Sequence, residues 1–170
     1  MTPIPVRPAT PADAEELLRL RVDVLTGRPA TDAWRTTFLA DMQARLGTDP
    51  QLLAFVADAG DGTLAACAIG VVYRGYEGPS YPGGLWGRVH TVVTDRPYRR
   101  QGLAEAVTRA LVGALQDRGC SSVELIATHE GLPLYEKLGF DPAAHYLTLR
   151  HPLPPAPADA AGPQNAGGAA

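Results

Sequence analysis

The sequence predicts an α+β (or α/β) domain: one mixed β-sheet with helices on both faces. Three observations predict it. Segments of strand and helix periodicity alternate along the 170 residues. Two apolar runs flank the turn "GDG" as a hairpin, which makes neighbouring antiparallel strands. Other strands are separated by whole helices, and such crossovers make parallel neighbours. A chain of this length holds one domain with a sizeable core.

Each element has its own signal. "IPVRPA" (4–9) reads as a short strand. In "TPADAEELL", Thr10 suits the N-cap and Pro11 the first helical position, while Asp13, Glu15 and Glu16 match the helix dipole. That first helix is expected to reach about Leu25, where "TGRP" stops it. The second, "TDAWRTTFLADMQARLG", sets Trp34, Phe38, Met42 and Leu46 on one face as core residues. "QLLAFVADA" (51–59) and "TLAACAIGVVYRGY" (63–76) form the hairpin. The glycine-rich stretch 77–87 is expected to be a loop carrying Tyr76, Tyr81 and Trp86 on the acceptor side, and 88–94 is a strand.

A long helix follows, with Leu103, Val107, Leu111 and Leu115 repeating every four residues and Gly119 just past its end. Val123, Leu125 and Ala127 alternate with polar residues in the strand 122–128. "EGLPLYEKLG" is a short helix, with Pro133 in its first turn and Gly139 past its end. The strand 145–151 closes the domain. Residues 1–151 are the expected domain, and 152–170, rich in Pro, Ala and Gly, a disordered tail.

Composition narrows the function. With 45% hydrophobic and 19% charged residues, the chain is an ordinary soluble protein. A formal charge of -3 offers no global attraction to nucleic acid or an anionic membrane. The N-terminus lacks a signal-peptide pattern, and no apolar run has membrane-spanning length. Cys67 and Cys120 stand apart in apolar settings, which favours buried free thiols and a cytoplasmic location. "HEGLP" has no second His to complete H-E-x-x-H, and no metal site is expected.

One feature needs an anion. The long helix begins with Arg96, Arg99 and Arg100 and the bare Gly102, where acidic or capping residues belong. Each misplaced charge costs about 0.3–1 kcal/mol unless an anion binds there. A strand, a basic glycine-containing loop and a helix together aim backbone amides at phosphate. The P-loop pattern, the dinucleotide G-x-G-x-x-G and the kinase set are all absent.

What remains is Arg99-x-x-Gly102-x-Ala104 directly after a strand. This resembles the [QR]-x-x-G-x-[GA] signature of the GNAT superfamily of acetyl-CoA-dependent N-acetyltransferases. "SSVELIATHEGLPLYEKLGF" is similar to the family's next strand and helix, and "VRPATPADAEELLRLR" to its opening ones. The resemblance covers roughly residues 4 to 150.

The resemblance implies acetyl-CoA as co-substrate, lying in a V between the strands 88–94 and 122–128. It implies that Arg99 opens the phosphate signature, and that backbone amides of Arg100, Gln101, Gly102, Leu103 and Ala104 cradle the pyrophosphate. Val92, Val93 and Thr94 would offer backbone groups to the pantetheine arm, as an added strand would. Tyr135 occupies the position of the hydroxyl that protonates the departing thiolate. His90 is the first candidate for general base, with His129 and Glu77 behind it.

The expected acceptor is a primary amine of a small molecule or peptide, attacking directly in a ternary complex. A homodimer is compatible with this reading. Two alternatives stand beside it: a non-catalytic acyl-CoA-binding module, and a GNAT-type toxin acting on aminoacyl-tRNA. The toxin calls for a basic face that the charge does not promise.

Overall fold

The computed structural model describes residues 4–22, 30–79 and 81–142. The described chain runs β1 (Val6–Pro8), α1 (Ala14–Val22), α2 (Asp32–Arg45), β2 (Leu52–Asp58), β3 (Leu64–Arg74), β4 (Leu85–Thr94), α3 (Leu103–Asp117), β5 (Ser122–Leu125) and α4 (Leu132–Lys137). The expected order holds through α4. The end of the first helix near Leu25, the strand at 145–151 and the tail from 152 lie outside the described residues.

The described strands form one sheet in the order β1-β2-β3-β4-β5. Every neighbouring pair is antiparallel except β4 and β5. That parallel pair is joined through α3, since parallel neighbours need a crossover. The sheet is mixed, as the element order predicts.

Its two faces follow from the pleat. Cys67 and Ile69 of β3 point toward α1 and α2, where they meet Leu17, Leu20, Met42 and Leu46. Ala66, Ala68 and Val72 point the other way, onto Val107, Leu111 and Leu115 of α3. Both cysteines are free and buried, and burial pushes the Cys67 thiol up to about 12. Among the described residues, no helix is long and apolar enough to cross a membrane.

Two arginine clamps seat α1 on the sheet. Arg7 on β1 donates to Asp13 at 2.8 and 2.9 Å and to Asp58 on β2 at 2.7 Å. This pairing holds the Asp13 carboxyl below its usual range. Asp13 also accepts from the Thr10 amide at 2.7 Å, closing the helix start there; that first turn, Pro11–Asp13, is 3-10. Arg19 on α1 grips Glu16, the Leu64 carbonyl and Asp95, so α1 is tied to both β3 and the end of β4.

The stretch 77–87 is a loop only as far as Gly84, and β4 begins at Leu85. Trp86 therefore stands on a strand, paired with Tyr73 of β3. Gly87 made this segment read as loop, but its glycine serves packing. A Cβ there would lie 2.9 Å from Cδ1 and 3.3 Å from Cβ of Leu115, which is fully buried. Gly87→Val should overpack this contact and destabilise the fold by about 1–3 kcal/mol. Urea unfolding checks this, and a midpoint unchanged from wild type would show that α3 moves freely.

Candidate active site

The strands part where the resemblance expects them to. Pairing between β4 and β5 runs from Trp86↔Ser122 to Val89↔Leu125 and stops. β4 continues to Thr94 against β3 alone, while residues 126–128 leave the sheet. The second strand is thus shorter than the expected 122–128. It ends at Leu125, and Ile126 follows with its side chain exposed.

The Asp95 amide donates to the Ala65 carbonyl at 2.9 Å. Antiparallel alternation then turns the main-chain groups of Val93 toward β3 and those of Val92 and Thr94 into the opening. Val93 packs by its side chain in the α1–α2 layer.

A bulge sits at the mouth of this opening. Val89 faces Gly70 and Thr91 faces Ile69, so His90 is one residue more than β3 can match. The extra residue reverses the side-chain parity of β4. Leu85 and Val89 pack toward α3, and beyond the bulge so does Val92, while Val93 faces α1 and α2.

The loop from β4 to α3 is built to expose donors. The Asp95 carboxylate accepts from the Arg96 amide at 2.7 Å and is held by Arg19 at 2.8 Å. Arg99 donates back to the Thr94 carbonyl at 3.2 Å. Arg100, at φ 62°, is the described non-glycine residue with left-handed backbone, and Gly102 follows at φ 80°. Left-handed residues in such a loop turn successive amides to one side, the geometry of an anion nest. Gly102 brings no capping side chain, and the amides of Leu103, Ala104 and Glu105 have no partner among the described residues. Arg96, Arg99, Arg100, Gln101 and Gly102 are all exposed. A Cβ on Gly102 would have no described atom within 4 Å, so open space adjoins it. Phosphate fits this loop: donors without partners among the described residues, three cations and room beside the chain.

α4 is fastened beside that helix end. Lys137 of α4 donates to Glu105 in the first turn of α3 at 2.6 Å. Tyr135, on the same short helix, packs its ring on Phe140 with centroids 5.8 Å apart. Its hydroxyl has no hydrogen-bond partner among the described residues. Burial raises its pKa, so the phenol stays protonated at neutral pH.

The imidazole of His90 is pushed the other way. Partial burial comes first, then the charges of Arg88 and Arg21, lowering its pKa against the opposing Glu124. It is neutral at pH 7 and able to accept a proton. His129 is exposed in a 3-10 turn after β5, and Glu77 is exposed in the loop before β4. Tyr76 is exposed, whereas Tyr81 packs on Trp86 at 4.9 Å.

The structure adds a polar trio that the sequence reading missed. Arg88 and Glu124 stand opposite each other across β4 and β5, bonded at 3.0 Å, and the Tyr73 hydroxyl donates to the same Glu124 oxygen. Burial first, then Glu124, push the Tyr73 hydroxyl up to about 12. One signal was available: charges in mid-strand, which need partners when a sheet is covered.

Comparison with known proteins agrees with this geometry. The family described as acetyltransferase (GNAT) matches residues 17–140. A glucosamine 6-phosphate N-acetyltransferase of Trypanosoma brucei brucei is 41% identical over 64 residues, 38% of this chain and 42% of that protein. The match thus spans less than half of that relative. A crystal structure of a Trypanosoma brucei acetyltransferase superposes with a TM-score of 0.68 at 26% identity, covering 89% of this chain and 100% of that one. A predicted acetyltransferase of Clostridium acetobutylicum, solved with acetyl-CoA, shares the fold: TM-score 0.75, 21% identity, 87% of this chain and 96% of that one.

Proposed function

The chain belongs to the acetyltransferase (GNAT) family, and from that premise we propose that it moves an acetyl group from acetyl-CoA to a primary amine of a small molecule or peptide. The observation that carries this reading is the strand opening beside an uncapped, arginine-rich helix start. A pyrophosphate would be held by the amides of Arg100, Gln101, Gly102, Leu103 and Ala104, with the Arg99 and Arg100 guanidiniums beside it. Val92 and Thr94 would hydrogen-bond the pantetheine arm as a missing strand would. When bound, acetyl-CoA supplies the activated thioester.

The remaining work falls to side chains. The amine must be neutral to attack directly in a ternary complex, and His90, itself neutral, accepts its proton. The protonated Tyr135 hydroxyl gives a proton to the departing sulfur. Buried free thiols suit a reducing cytoplasm as the setting.

Incubating the protein with acetyl-CoA and a panel of small and peptide amines, and following free-thiol release, tests the reading. Amine-dependent release is the expected result. Saturable acetyl-CoA binding with no release on any amine would make the chain a non-catalytic acyl-CoA-binding module instead.

A further inference from the structure

The arginines of the described structure divide into three kinds. Arg7, Arg19, Arg45, Arg88 and Arg109 each pair with a carboxylate. Others are exposed, or donate to a main-chain carbonyl, as Arg35 does to Ala30. Arg21 fits neither description. It is half-buried and makes no hydrogen bond or ion pair to any described residue.

Its position explains why this matters. Arg21 lies in the last turn of α1, whose Leu17 and Leu20 are fully buried against the sheet. Its charge is felt at Cys67 on β3 and at His90 in the bulge of β4. It therefore stands on the α1 side of the sheet, within electrostatic reach of His90, the proposed base. Burial is the chief influence on its guanidinium and works against the charged form. Guanidinium stays charged in proteins, so a partly desolvated cation stands here with no anion beside it among the described residues. A helix C-terminus favours a cation but supplies no partner with the bidentate geometry a guanidinium takes.

Building on the proposed transferase reading, we infer that Arg21 receives an oxyanion of the acceptor, so that the substrate is an amine carrying a phosphate or carboxylate. The amine nitrogen then lies toward His90 while the anion is held at the end of α1. A planar guanidinium binds either oxyanion through paired N–H donors.

The test uses the full chain saturated with CoA, so that the phosphate loop is already filled. Calorimetric titrations compare glucosamine with glucosamine 6-phosphate, and propylamine with β-alanine. At least one anionic member should bind roughly ten- to a hundredfold more tightly than its neutral partner, the worth of a charged hydrogen bond. Whichever pair discriminates identifies the oxyanion. Arg21→Gln and Arg21→Met should both erase the preference and leave CoA affinity and melting temperature undiminished, because the half-buried charge removed has no ion pair among the described residues. Arg21→Lys should retain part of it.

Equal binding within both pairs would overturn the inference. So would a preference that survives in Arg21→Gln and Arg21→Met. Thiol release followed in parallel separates the two claims. Anion preference without turnover on any amine would sink the transferase reading and leave the anion site standing.

Discussion

Tyr135→Phe is expected to slow acetyl transfer by about 10²–10⁴-fold, the usual worth of a positioned general acid. Acetyl-CoA affinity should hardly change, because the proposed phosphate and pantetheine contacts are made by Val92, Thr94 and residues 99–104. The structure makes this a clean substitution. The ring that packs on Phe140 is retained, and the hydroxyl that is lost has no partner among the described residues. Little stability should therefore be lost. If the tyrosine only filled space, the variant would turn over at nearly the wild-type rate. Measuring kcat for both proteins on an active amine, with melting curves alongside, decides between the two. A variant running above about half the wild-type rate would remove Tyr135 from the chemistry.

Gly102→Glu should abolish acetyl-CoA binding while leaving a folded protein. Two effects meet at this residue, and they can be separated. Its φ of 80° strains any side chain, at about 1–2 kcal/mol, whatever the chemistry. Glutamate also sets a carboxylate beside the amides and arginines proposed for the pyrophosphate. Gly102→Ala shares the strain and lacks the charge. Both variants should melt lower than wild type without ligand. Acetyl-CoA at a hundred times its Kd stabilises wild type by about 2.7 kcal/mol, read as a rise in melting temperature. Gly102→Ala should keep most of that rise and Gly102→Glu none. A full rise in Gly102→Glu would place the phosphate elsewhere.

The sequence by itself determined what depends on near neighbours. The fourfold repeat of Leu103, Val107, Leu111 and Leu115 specifies a helix with one buried face, and all four are buried. Thr10 stands at the cap position expected of it, with Asp13 accepting from its amide. The arginines at a glycine-led helix start already stated that an anion was missing. These signals are carried by residues within a turn or two of each other, so no knowledge of the fold is needed to read them.

Only the tertiary structure decided where strands meet and where they stop. The extra residue at His90 is invisible in "RVHTVVT", because a bulge exists only relative to the strand beside it. That residue reverses which side of β4 each later side chain faces, and so fixes that Val92, not Val93, turns its main chain to the opening. The start of β4 at Leu85 was hidden by glycine composition, since Gly87 answers to Leu115 on a helix far along the chain. Arg88 and Glu124, 36 positions apart, become partners through register alone. Arg21 is the converse case. An arginine is ordinary in any helix, and only the packed structure shows that this one is half-covered and pairs with no carboxylate among the described residues. Pairing and desolvation are properties of surfaces brought together, and a sequence read locally contains neither.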